Sequence, residues 1–145
     1  MNDNISLDIA AGITGLLVAK NIGVWEENGV YEKNTLRPPI FIGRLPAEPL
    51  LAIGVTPYVA SMDTKLGVDI RAVQIRLRNA TSDPRPVIDL ADRLEDLLHG
   101  RENLTFGSYP IPLIWRHSLS VLGAGETNNY QITDNYYMYV DTKSL

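Results

Sequence analysis

Between Val68 and Gly100 a strand, a turn and a helix follow one another without a gap, and this block limits what the rest of the chain can build. Val73, Ile75 and Leu77 alternate with Gln74, Arg76 and Arg78, the period-two pattern of a half-buried strand. Upstream the phase reverses, with Ile70 and Ala72 as the apolar residues. That slip predicts either a β-bulge at Ala72-Val73 or a segment covered on both faces, and a bulge is the preferred reading. Asn79, Ser82, Asp83, Pro84 and Pro86 then supply turn chemistry and forbid a continued ladder. Val87, Leu90, Ala91, Leu94, Leu97 and Leu98 recur at helical spacing, opposite Asp89, Asp92, Arg93, Glu95 and Asp96. The leucine stripe is expected to lie on a sheet and the acidic side to face solvent or a partner. Ser82 or Asp83 is expected to cap the helix, and Asp89 and Arg93 to form an i,i+4 pair. His99 and Gly100 are its stop signals, a cation-capable group near the negative helix end and a residue free to adopt positive φ.

The remaining elements are placed against this block. Ile9, Ile13, Leu16 and Leu17 predict an amphipathic helix from about Ser6 to Lys20. Asn28-Gly29, between short apolar-bearing segments, predicts a tight hairpin. The proline- and glycine-rich stretch that follows holds Ile40, Phe41 and Ile42 as a short extended piece at a sheet edge. Leu50 to Tyr58 reads as a buried strand whose end Pro57 restricts. The polar connection Ser61 to Gly67 is expected to be mobile in an isolated subunit and to order on assembly. Pro110 and Pro112 leave Leu113 to Leu122 as the best strand portion of the next stretch, and Gly123, Gly125 and Asn128 make a turn. In the last strand, Asn129 to Val140, Ile132, Met138 and Val140 share one phase and Tyr137 and Tyr139 the other. The expected fold is a single α+β domain over residues 1–145, with two helices packed on one face of a mixed, largely antiparallel β-sheet. Gln74, Arg76, Arg78, Tyr137 and Tyr139 would make the other face a polar-aromatic surface suited to another subunit.

Composition narrows the function classes. With 145 residues and no cysteine, the chain has no disulfide framework and no thiolate metal site. A formal charge of -4 argues against a nucleic-acid grip, and together with Asp69 it weighs against reading Arg71, Arg76 and Arg78 as a basic stripe for nucleic acid. The apolar run from Ile5 to Ile22 is flanked by Asp3, contains Asp8 and is interrupted by Gly12 and Gly15, so it reads neither as a signal peptide nor as a membrane span. The chain is expected to be soluble and to have no membrane partner. His99 and His117 are the only histidines, and neither lies in a catalytic motif. Gly123-Ala124-Gly125 precedes a strand rather than a helix, which suits a turn and not a phosphate loop. No catalytic, metal-binding or cofactor-binding residue is assigned, no cofactor is expected, and the chain is read as not an enzyme.

The succession AVQIRLRN, a proline-containing turn, DLADRLEDLLHG and WRHSLSVLGAGETNNYQITDNYYMYV resembles the small minor capsid or tail-terminator family of tailed bacteriophages. Val73, Gln74, Ile75, Arg76, Arg78, Leu97, Leu98, Gly100, Leu122, Gly123, Tyr136, Tyr139 and Val140 carry the match. IGRLPAEPLLAIGVTPY is similar to that family's proline-bearing lead into its first core strand. The resemblance implies a structural virion protein, located at the head-tail junction after assembly in the host cytoplasm. It implies a ring of itself, usually a hexamer, that caps the tail tube protein, ends tail elongation and meets a head-completion or connector protein. Genomic DNA would pass through the lumen without specific binding. A neck or head-completion protein on the portal side is the alternative, and a ligand-binding or enzymatic domain the next. Arg76 and Arg78 on the central strand, with Asp89, Asp92 and Asp96 on the acidic helix, are the candidate subunit-interface residues, able to bring opposite charges together between neighbours.

Overall fold

The computed structural model describes residues 4–31, 37–62 and 67–142. Its elements are α1 (Ile5–Ala19), β1 (Ile40–Ile42), β2 (Ala52–Ser61), β3 (Val68–Arg78), α2 (Arg85–Leu98), β4 (Glu102–Phe106), β5 (Tyr109–Gly123) and β6 (Gln131–Asp141). The strands form one mixed six-stranded sheet in the order β1-β2-β3-β6-β5-β4. The β1–β2 pairing is parallel, and the other four are antiparallel. The chain is thus α+β, with β3 and β6 at the centre of the sheet.

β3 pairs with β6 residue for residue from Val68 to Arg78, so the bulge expected at Ala72-Val73 is absent. The strand is instead covered on both sides. Val73, Ile75 and Leu77 enter the core, while Ala72, also buried, lies between Tyr58 and Tyr137 of the neighbouring strands. Asp69 and Arg71 share the phase of Val73 and neutralise each other there, Arg71 Nη2 lying 3.2 Å from Asp69 Oδ2. Arg71 is therefore on the opposite face from Arg76 and Arg78, and no basic stripe forms. The register shifts fall in β2, between Val59 and Ser61, and in β5, between Arg116 and Ser118 and between Val121 and Gly123.

Both helices contribute to one hydrophobic cluster. α2 buries its expected stripe, and Leu94 and Leu98 are fully enclosed. Pro84 occupies the N-cap position, where it has no side-chain donor or acceptor, and Asp83 Oδ1 takes the Arg85 amide from one residue further back. Asp89 and Arg93 do not pair. Arg93 reaches across to the carbonyls of Lys20 and Asn21, near the end of α1, where a guanidinium offsets exposed carbonyl dipoles. Gly100 takes the positive φ expected of a helix stop, whereas His99 accepts the Arg116 amide at Nδ1 and so serves β5 rather than the helix end. α1 begins and ends within a residue of expectation and buries Ile9, Ile13 and Leu17, but Leu7, Ala11 and Val18 on its outward side are apolar too. Its close approach to β4 requires Gly12, where a Cβ would stand 2.1 Å from the Phe106 ring.

Three local expectations change. The Asn28-Gly29 turn forms, but among the described residues no strand flanks it. Val24 makes a single bridge to Pro39, and Tyr31 closes the segment by accepting the Glu26 amide and donating to the Ile40 carbonyl. Pro57 lies within β2 rather than at its end, past the stretch paired with β1, where a missing N–H costs no ladder bond. Pro110 and Pro112 likewise lie inside β5, in the segment paired only with β4. Of the connection 61–67, residues 63–66 lie outside the described residues.

Candidate subunit-interaction surface

Cross-strand register brings the outward residues of four strands onto one face. Tyr58, Ala72, Tyr137 and Trp115 form one row, and Thr56, Gln74, Asn135 and Ser118 the next. Ala72 is small, so the rings on either side of it meet above the strand: Tyr58 lies edge-on to Tyr137 at 6.4 Å, Trp115 edge-on to Tyr137 at 6.1 Å, and Trp115 4.8 Å from Tyr139. His117 is the additional residue of the β5 bulge, which turns its ring onto Tyr137 in a parallel stack with centroids 4.0 Å apart. Burial, and then the neighbouring Tyr137, push the Tyr58 phenol above its ordinary pKa. His117 and Tyr139 are exposed, and Tyr58, Trp115 and Tyr137 half-buried. Aromatic bodies with polar tips in this state are suited to protein contact.

The five interface candidates separate into different settings. Arg76 lies on this face, its Nε donating to Gln131 Oε1 at 2.9 Å. Arg78 is committed internally. It is buried, and its guanidinium donates to the carbonyls of Pro46, Pro49 and Leu50 at 2.6–2.8 Å, holding the loop before β2 against β3. Burial, and then the nearby Arg76 charge, hold Arg78 below the usual arginine pKa. Replacing Arg78 with Gln, which removes charged bonds to three carbonyls, is expected to cost about 1.5–3 kcal/mol. Hydrogen exchange should rise first in residues 44–51; an unchanged loop would mean that the guanidinium is not what holds it.

Asp89, Asp92 and Asp96 are exposed on α2. Asp96 borders a cleft with Lys20, Arg93 and Arg101. Because α2 packs against the core side of β3 and β6, these carboxylates are across the sheet from Arg76. Arg76 and the acidic helix therefore do not meet within one chain.

A buried polar centre escaped sequence reasoning. Arg116, turned inward ahead of the β5 bulge, grips Asp134 through Nε and Nη2 at 2.8 and 2.9 Å. It also reaches Glu95 and the Ala91 carbonyl on α2, and Tyr136 donates its hydroxyl to Asp134. Asp134 is fully buried. Burial pushes its carboxyl above the ordinary range despite the opposing Arg116 and Tyr136 hydrogen bonds, and burial beside that carboxylate pushes the Tyr136 phenol strongly up. A signal did exist: Asp134 falls in the apolar phase of Ile132, Tyr136 and Met138, with an arginine in the preceding strand. The cluster joins α2 to β5 and β6, as a structural tie does.

Among the described residues no group of three or more His, Cys, Asp or Glu is placed to hold a metal ion, and no helix is long and apolar enough to cross a membrane. No curated protein sequence matches the chain. A chain in the solved virion of a native gene transfer agent (GTA) particle shares the fold with a TM-score of 0.67 at 11% identity, over 97% of this chain and 99% of that one. The family model described as "Bacteriophage tail terminator protein" matches residues 16–142, from the last turn of α1 through the end of β6. With that match spanning nearly every element described above, the chain belongs to the bacteriophage tail terminator family, whose members are structural virion proteins and not enzymes.

Proposed function

We propose that this protein caps the phage tail tube as a closed ring, a hexamer by family resemblance, ending tail elongation and offering the joining surface for the head. Both helices lie together on one side of a largely antiparallel sheet, and the other face is turned to neighbouring subunits. The observation that carries this reading is that exposed face, with Arg76, His117, Tyr137 and Tyr139, on a chain whose family is structural. Since Arg76 and the acidic side of α2 are across the sheet from each other, they meet only if one subunit's sheet face approaches the next subunit's helix. Such a head-to-tail contact closes into a ring. Net acidity lets DNA pass the lumen without adhering, and assembly takes place in the host cytoplasm before the ring rests at the head-tail junction.

Electron microscopy of the purified protein with tail tubes tests the reading: density capping one tube end supports it, and binding only to portals would replace it with a neck role. Arg76→Glu is expected to shift the ring toward monomer without unfolding it, because a weak ion pair repeated around a ring is lost at every interface. Light scattering measures this. A ring indifferent to the reversal would remove Arg76 from the interface while leaving the capping role standing.

A further inference from the structure

Asn28 is the only asparagine in the chain that a glycine follows. The pairing matters chemically, because the backbone nitrogen after an asparagine can attack that residue's side-chain amide, and a glycine there carries no side chain to stand in the way. Both residues are exposed. A Cβ built on Gly29 would meet nothing within 4 Å, so solvent surrounds the dipeptide. The closed turn nevertheless keeps both reacting groups in other bonds. The Gly29 amide, the nucleophile of such a step, donates to the Glu26 carbonyl at 3.0 Å. The Asn28 side-chain oxygen accepts the Val30 amide at 2.9 Å, which fixes the carbonyl that would be attacked. Tyr31 clasps the whole turn, its hydroxyl accepting the Glu26 amide and donating to the Ile40 carbonyl at the start of β1. Burial pushes this phenol above its ordinary pKa, so the clasp stays protonated in mildly alkaline solution, where a backbone amide loses its proton more readily.

We propose that Asn28 is a deamidation site and that the Tyr31 clasp sets its rate. When the turn opens, base removes the Gly29 amide proton and the nitrogen attacks Asn28 Cγ. A new C–N bond forms, the Cγ–Nδ2 bond breaks, and the side-chain nitrogen leaves as ammonia, taking a proton from water. Water then opens the cyclic imide at either of its carbonyls, giving aspartate or isoaspartate. Water is consumed and ammonia released, and no oxidant, reductant or other reactant takes part. The product carries a new carboxylate close to Glu26 and Glu27 in sequence. Isoaspartate also lengthens the backbone by a methylene, which moves Val30 and Tyr31 away from their present partners.

The purified protein, kept in mildly alkaline water enriched in heavy oxygen, then cut with a protease and read by mass spectrometry, reports each converted asparagine by its label. Asn28 is expected to convert before any other asparagine, and more slowly in the folded chain than in the same chain unfolded in urea. Asn28→Gln, whose extra methylene would demand a larger ring, is expected to stay unlabelled at that position. Tyr31→Phe keeps the ring and removes only the hydroxyl. It is expected to speed conversion at Asn28 about tenfold, the extra opening that follows from two lost hydrogen bonds, while Asn103 and Asn128 keep their wild-type rates. Acceleration at all three positions would trace to general unfolding and overturn the role of Tyr31, as would a folded chain that reacts as fast as the unfolded one. Earlier conversion at another asparagine would overturn the site itself.

Discussion

Leu94→Asp is expected to leave no cooperative thermal transition, while Asp92→Ala melts within about 0.5 kcal/mol of wild type. The two positions are two residues apart on α2 but face opposite ways: Leu94 is fully enclosed in the core, and Asp92 is exposed. Truncating a buried leucine costs about 2–5 kcal/mol. Placing an unpaired carboxylate there adds several more, against a total stability of about 5–15 kcal/mol for a domain of this kind. Equal melting of the two variants would mean that the wrong face of the helix has been placed on the sheet.

Arg116→Met is expected to cost about 3–5 kcal/mol, because it strands the Asp134 carboxylate in the core. Adding Asp134→Leu should recover most of that loss, short of the part owed to Tyr136, whose hydroxyl then lacks its acceptor. The pH dependence has a definite sign. A carboxyl raised above its unfolded value favours the fold when protonated; this contribution is complete below the unfolded pKa and is lost as pH rises through the folded value. Without Arg116 the carboxyl rises further, so the single variant's deficit should shrink on acidification and the double variant's should not. Urea denaturation of both at several pH values provides the measurement. A single variant within 1 kcal/mol of wild type would show that this cluster does not tie α2 to β5 and β6.

The reach of the sequence was set by how local each determinant is. α2 and the stretch Val73–Arg78 of β3 were legible because their apolar periods lie within a few residues and each element buries one definite face. The phase of β6 was legible for the same reason. β4 was missed because its five residues carry little alternation and owe their conformation to pairing with the proline-bearing start of β5. The supposed bulge in β3 had a non-local remedy: Ala72 stays in register because tyrosines from β2 and β6 cover it.

The same distinction governs the surface residues. Composition and pattern identified a cysteine-free acidic domain with a polar-aromatic sheet face and an acidic helix, because charge and alternation are properties of the string itself. They did not separate Arg76 from Arg78, two residues apart and alike in phase. Only the folded chain decided that, by bringing the carbonyls of Pro46, Pro49 and Leu50 around Arg78 and leaving Arg76 on the open face. Likewise Arg116 and Asp134 became a tie rather than two strand charges once β5 and β6 paired with both on the inward face beneath α2. Periodicity determines which face a residue takes within its own element, whereas the partner it meets depends on packing between distant segments, which no local pattern encodes.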